Sequence, residues 1–325
     1  MAKDFYASGR RSGLFYQTFK PARLPAINLE RRKARFPIFR RAILMNKLFA
    51  ALLAFFLVFA TGCGDINNNH PSDNKKINLG MISRMNVSET LLDTYFQQAS
   101  SRMSQTSNLY APKHIFFDNM SSLIAALNAG QVDRISTYHS VANYLLIRNK
   151  NLQIVDTLVP KVSDSFCCAL RADESNLKQE FDAAINEMMS DGSLNSLIKT
   201  YITDLGDNEP PTVEFPKING ANTIKIAVTG DLPPLDLISA DGKPAGFNTA
   251  MLAAISRRIG KNFELVQVDS GARAAALTSN QVDVVFWVTV PLNNPLAPPD
   301  FDKPDGVILT QPYFSDEIAH VALKK

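Results

Sequence analysis

The segment Thr223–Trp287 constrains this chain more than any other. It alternates strand-length apolar runs with helical stretches: a strand over Thr223–Val228, a Pro-Pro turn, a Gly-Phe-Asn entry into an amphipathic helix, a second strand, a short helix and a third strand. Strands and helices alternating at this spacing predict a parallel sheet with crossover helices, an α/β fold. Its most legible feature occurs twice. Leu277-Thr-Ser-Asn-Gln281-Val282-Asp283 is matched by Leu127-Asn-Ala-Gly-Gln131-Val132-Asp133, each ending a short helix and opening a strand. Two α/β units built on one plan predict two facing lobes.

Reading from residue 77 gives the second unit. Strands are expected at Ile77–Ile82, His114–Phe117, Val132–Thr137 and Leu152–Val155, and helices at Glu89–Arg102, Ser121–Ala129 and Val141–Ile147. Asn86 and Ser88 offer side-chain caps to the first of these helices. A strand at Ser165–Arg171 then leads into helices at Ser175–Met189 and Leu194–Ile202, split by Asp191-Gly192. Residues 206–222 are rich in Pro, Gly and Asn and read as an extended linker. After the Thr223 unit come a Pro- and Asp-rich loop (Pro291–Asp305) and a last strand at Ala319–Leu323.

Charge is unevenly spread. Twelve of the 34 Lys and Arg but only two of the 31 Asp and Glu precede Cys63, so the remainder carries a net charge of about −7. Nothing in that remainder invites nucleic acid. Leu48–Ala60 is an apolar run of thirteen residues, short for a membrane span, preceded by Lys47 and followed by Thr61-Gly62-Cys63. Ala60-Thr-Gly-Cys63 resembles the bacterial lipoprotein signal, which implies acylation of Cys63 and an extracytoplasmic protein anchored to the membrane without spanning it. Met45 is a plausible start for such a signal. Residues 1–44 then form an upstream extension without sustained period, 45–62 the signal peptide, and the Asn-rich 63–76 a flexible tether.

Ile224-Lys-Ile-Ala-Val, Asp231-Leu-Pro-Pro-Leu-Asp236, Asp241-Gly-Lys-Pro-Ala-Gly-Phe-Asn248 and Leu277–Val285 resemble the first lobe of the extracellular solute-binding proteins of polar amino-acid ABC importers. Residues 77–160 are similar to that family's second lobe, and 161–205 to its return segment and closing helices. The resemblance implies a two-lobe periplasmic-binding-protein-like fold. Its segments stand in circularly permuted order, with 206–222 as the joint and 223–325 as the first lobe. The alternative is a tandem of two partial domains. Permutation predicts that Thr223–Val228 and Ser165–Arg171 share one sheet.

The same resemblance implies function: a protein, expected to be monomeric, that closes on a small polar solute, an amino acid or a relative, and delivers it to an ABC permease. Cleft-facing residues belong on loops at the carboxyl ends of strands. From the first lobe these are Asp231, Pro233, Pro234, Leu235 and Asp236, then Ser270 and Arg273, then Trp287 and Thr289. The second lobe offers Ser83, Arg84, Asn86 and Ser88, then Tyr138 and His139. The family's usual carboxylate-binding Arg is missing from the stretch after Trp287, and Tyr138 stands where an ammonium-binding Asp is usual. Arg84 or Arg273 is the candidate replacement, since bidentate pairing with a carboxylate needs a guanidinium. Trp287 reads equally as cleft platform or core residue, and Asp133 and Asp283 as structural groups at the helix–strand turn.

Enzyme signatures are missing. There is no Gly-x-Ser-x-Gly elbow, His-Glu-x-x-His, Cys-x-x-Cys or phosphate loop, and the four histidines are scattered, so no metal and no cofactor are expected. Adjacent Cys167 and Cys168 are expected as buried thiols, because neighbours in a strand point to opposite faces. A sensor or scaffold that kept the fold, or a dehydratase-like enzyme using paired carboxylates, are the competing classes.

Overall fold

The computed structural model describes residues 76–103, 112–155, 161–292 and 297–325, with the side chains of 99–103 excepted. The signal, Cys63 and the tether up to Lys75 lie outside the described residues. Ser72–Lys325 forms one compact unit. No helix among the described residues is long and apolar enough to cross a membrane.

The second-lobe unit comprises β1 (Asn78–Ile82), α1 (Glu89–Met103), β2 (Lys113–Phe117), α2 (Met120–Asn128), β3 (Arg134–Tyr138), α3 (His139–Arg148) and β4 (Leu152–Ile154). Next come β5 (Ser163–Arg171), α4 (Ser175–Ser190), α5 (Ser193–Ile198) and a π-helical turn at Lys199–Thr203. The remainder is β6 (Thr223–Val228), a small hairpin sheet of β7 (Asp231–Leu232), β8 (Asp236–Ile238) and β9 (Pro244–Ala245), α6 (Phe247–Ile259), β10 (Asn262–Gln267), α7 (Arg273–Thr278), β11 (Val284–Leu292), β12 (Val307–Leu309) and β13 (Phe314–Leu323). The last closing helix, expected to run from Leu194 to Ile202, changes to π geometry after Ile198.

Strand order is β10-β6-β11-β5-β13-β3-β1-β2, with β12 on β5 and β4 on β13. Parallel pairs lie at both ends: β10 with β6 and β6 with β11 in one lobe, β2 with β1 and β1 with β3 in the other. Two long strands join them. The first half of β13 pairs antiparallel with β5, and its second half pairs with β3 and β4, so this strand passes from one lobe to the other. β5 and β6 both pair with β11 and lie in one sheet, as the permuted reading requires.

The repeated Gln-Val-Asp motif explains the likeness of the lobes. Asp133 accepts the backbone N–H of Asn78 at 2.8 Å and returns its own N–H to Asn78 O at 2.9 Å. Asp283 does the same with Lys225, at 2.9 and 2.8 Å. Each Asp therefore ties the entry of its strand to the first strand of its lobe. Val132 and Val282, each 1% exposed, plug the cores beside them.

Packing explains two glycines. Gly246 precedes α6 with φ 101°, and a Cβ there would lie 2.7 Å from Leu235 O and 2.8 Å from Pro234 O. Those two carbonyls instead accept Asn248 N–H and Phe247 N–H, which caps the helix on the Pro-Pro turn. At Gly80 a Cβ would meet Leu123 Cδ1 at 2.6 Å, so this position lets α2 lie directly on β1.

The 206–222 linker is pinned rather than free. Thr212 bridges Ala245, Val213 N–H bonds Pro244 O, and Asn262 holds Ile218 from both its amide atoms. Glu209 reaches α3, accepting from Tyr144 Oη at 2.7 Å and Arg148 Nε at 3.1 Å. Both cysteines are buried and free. Burial pushes the Cys167 thiol up to about 12 and raises Cys168 well above its ordinary value, so neither is a nucleophile near neutral pH.

Candidate functional site

The carboxyl ends of β1 and β3 and the middle of β11, at Trp287 and Thr289, meet residues of β5 and β13 around one site. Between them lies a cavity of about 40 Å³. That is room for about three water molecules. Its second-lobe wall is Met81–Arg84 and Ser136–Tyr138, and its first-lobe wall is Leu232, Arg273, Trp287, Thr289 and Asp302. Asp164 and Ile318 line it from the connecting strands.

Four polar side chains converge here at long range. Arg84 Nη2 stands 3.6 Å from Asp164 Oδ2, and Arg84 Nη1 is 3.4 Å from Thr289 Oγ1. Tyr138 Oη is 3.4 Å from Asp164 Oδ2 and 3.3 Å from Thr289 Oγ1. Hydrogen bonds between such groups are normally 2.7–3.0 Å, so the contacts that link this ring of four are long ones. Arg84 Nε is buried and has no hydrogen-bond partner. Burial works against the Arg84 charge, but Asp164, Tyr138 and Asp302 outweigh it and its pKa stands above the ordinary value. Burial first, and then Asp164, raises the Tyr138 phenol, which stays a neutral donor. Tyr138 packs edge-on against Phe166 of β5, ring centroids 4.7 Å apart, which fixes the direction of its hydroxyl.

Neighbouring polar groups bond at ordinary distances and hold the walls. Arg273 is 2% exposed and donates from Nε to Ser270 O at 3.0 Å, from Nη1 to Trp287 O at 2.8 Å and from Nη2 to Ser83 O at 3.0 Å. Its guanidinium also lies 4.3 Å from the centre of a Trp287 ring. Burial lowers its pKa to about 10, although Asp302 pulls the other way. Trp287 is both core and wall: it is 4% exposed, lines the cavity and donates from Nε1 to Thr229 Oγ1 at 3.2 Å. Its φ of 49° marks the irregularity where β11 shifts register against β5. Asp236 is 1% exposed and accepts Thr229 N–H at 2.9 Å and Thr229 Oγ1–H at 3.0 Å.

Six of the twelve ligand candidates therefore line the cavity: Ser83, Arg84, Tyr138, Arg273, Trp287 and Thr289. Asp236, Pro234 and Leu235 sit in the turn beneath α6, and Ser270 is fully buried behind Arg273. Asn86 is exposed, its backbone N–H bonded to Asp302. Asp231 bridges the lobes, accepting the N–H of Met120 at the start of α2 at 2.5 Å. Sequence reasoning missed Asp164 and Asp302. A buried acid opening an apolar strand was the available signal for Asp164. For Asp302, lost among four aspartates between residues 300 and 316, there was none.

Asp231 carries a pH dependence. Burial raises its pKa to about 6, against the opposing N–H of Met120 and with help from Asp236 and Asp269. A folded-state pKa above the unfolded one means that the contribution is complete below about pH 4 and is lost as pH rises through 6. The stability of wild type minus that of Asp231→Asn, from urea unfolding, should fall by about 1–2 kcal/mol between pH 4 and 7, a range discounted for partial exposure. A flat difference would show that the carboxyl titrates normally.

Sequence comparison bears on the first-lobe side of this cavity. Residues 224–290 match the model of bacterial extracellular solute-binding proteins, family 3. The glutamine-binding protein of an ABC transporter from Bacillus subtilis is 28% identical over 88 residues, which is 27% of this chain and 32% of that relative. The chain thus spans about a third of the curated relative it matches. The ligand-binding component of an ABC-type import system from Staphylococcus aureus, solved with zinc bound, aligns at 11% identity and TM-score 0.38, over 76% of this chain and 65% of that one. A periplasmic substrate-binding protein of an ABC transporter from Coxiella burnetii aligns at 12% identity and TM-score 0.34, over 75% and 84%. The matched segment spans nearly all of β6 and β11 and the whole of α6, β10 and α7, including Trp287 and Thr289 of the cavity wall.

Proposed function

We propose that this chain is an extracytoplasmic solute-binding protein. It takes a small polar solute, an amino acid or a related compound, between its two lobes and delivers it to the permease of an ABC importer, while lipidated Cys63 holds it to the membrane. One observation carries the reading: Arg84, Tyr138, Asp164 and Thr289, from both lobes and the strand between them, converge on one cavity and meet there through long contacts of 3.3–3.6 Å. A solute with donors and acceptors would part these contacts and take them over, drawing on both lobes at once. Ligand contacts available only when the lobes are together shift an open–closed equilibrium toward the closed form. The family 3 match of residues 224–290 supports transport as the use of such a site.

The lobe order is read as a circular permutation of that family's plan, supported by β5 and β6 sharing β11 and by the pinned 206–222 linker. The anchor rests on the Ala60-Thr-Gly-Cys63 sequence. A thermal-shift panel of amino acids, small peptides, organic acids and amines on the Ser72–Lys325 unit tests binding, because a ligand of the native state raises its melting temperature by mass action. Stabilisation confined to one chemical class is expected. A panel with no response contradicts the proposal.

A further inference from the structure

The loop between β11 and β12 belongs to the first lobe by both its ends, but its tip is built into the second. Asp302 is 3% exposed, and its carboxylate accepts three successive backbone N–H groups of the segment after β1: Met85 at 3.1 Å, Asn86 at 2.8 Å and Val87 at 3.0 Å. Next to it, Phe301 packs with Met81, Val87 and Leu92 and meets Tyr95 edge-on, ring centroids 4.5 Å apart. Lys303 O takes the Asn86 side-chain amide at 3.4 Å.

Three consecutive N–H groups turned to one point form a concave anion seat, whatever anion fills it. Here the chain fills it from the opposite lobe. Such charge-assisted bonds are stronger than neutral ones, and the apolar packing of Phe301 excludes water from their flank. The seat follows Arg84 directly in the chain, and Asp302, which fills it, lines the cavity together with Arg84.

We infer that Asp302 is a specificity-determining residue that occupies the second lobe's anion seat from within the chain, closing that seat to a solute carboxylate and clasping the lobes together. The inference deepens the solute-binding reading and rests on it for the word specificity. A solute carboxylate then has Arg84 as its partner, and closure draws on the clasp as well as on the solute.

Chemical rescue with acetate tests this without any knowledge of the solute, so its outcome is separate from that of the binding panel. In Asp302→Ala the seat is empty: the radius of gyration of the Ser72–Lys325 unit rises above wild type. Sodium acetate then restores compactness, and at about ten times its Kd it raises Tm by about 2–5 °C relative to equal sodium chloride. Wild type shows no acetate-specific shift, and neither does Asp302→Asn, whose amide still fills the space. The inference is overturned if Asp302→Ala is as compact as wild type, if it opens but ignores acetate, or if acetate stabilises wild type equally. Should Asp302→Ala fail to fold, amide exchange of wild type decides. The Met85, Asn86 and Val87 amides are expected to exchange as slowly as those of β1, and exchange at open-loop rates would overturn the clasp.

Discussion

Replacing Arg273 with alanine should cost about 3–4 kcal/mol of unfolding free energy, the largest loss expected from any single change around the cavity. Two effects oppose. Removing the side chain relieves a buried charge that Asp302 and Asp236 only partly offset, and its pKa near 10 puts that relief at about 3 kcal/mol. Against it, Ser270 O, Trp287 O and Ser83 O each lose a charged donor at 2.8–3.0 Å, at about 1.5–3 kcal/mol apiece, and the Trp287 ring loses the cation stacked on it. The three carbonyls win. Because Ser83 lies in the other lobe, the variant should also loosen the cavity walls against each other. Arg273→Lys should recover less than half, since one ammonium cannot span three carbonyls arranged for a planar fork. Urea midpoints at unchanged m give the test; a loss below 1 kcal/mol would mean that water serves the carbonyls equally well.

Asp164→Ala is expected to show the second largest effect, about 2–3 kcal/mol. Breaking a buried ion pair by removing one partner usually costs about 3–5 kcal/mol, because the other charge stays behind. The Arg84 side chain is 14% exposed and the pair is held at 3.6 Å, which places this case below that range. Asp164→Asn keeps the volume and an acceptor for Tyr138 and should cost about 1 kcal/mol. In both variants the compound that stabilises wild type should lose at least about tenfold in affinity, the equivalent of one ordinary charged hydrogen bond. If Asp164→Ala unfolds within 0.5 kcal/mol of wild type and binds as well, Asp164 is neither a partner of Arg84 nor part of the site.

The extent to which the sequence disclosed this arrangement follows from the range of each interaction. The Gln-Val-Asp repeats were legible because each is a local device: a helix end, a buried Val and an Asp that ties two strands of its own lobe. The turn under α6 was legible for the same reason. β11 was harder, because its apolar run was expected to end at Trp287, whereas the strand continues to Leu292 past a residue at φ 49°. That continuation is dictated by β5, more than a hundred residues earlier, against which it is antiparallel. The hairpin of β7, β8 and β9 has strands of two or three residues, too short to leave a period. At the cavity, residues at strand ends could be named, but their division into ring and scaffold could not. Arg84 and Arg273 look alike in sequence. Only the carbonyls of Ser270, Trp287 and Ser83 make one a structural clamp, while Asp164, eighty residues from Arg84, makes the other a member of the ring.

The most direct measurement is hydrogen–deuterium exchange of the Ser72–Lys325 unit with and without the compound that raises its melting temperature most. If the cleft between the lobes is the binding site, protection appears together in 82–84 and 136–138 of the second lobe, 287–289 of the first, and 163–166 of β5. Protection confined to one lobe or lying away from these segments, or a panel in which no compound stabilises the protein, would contradict the account.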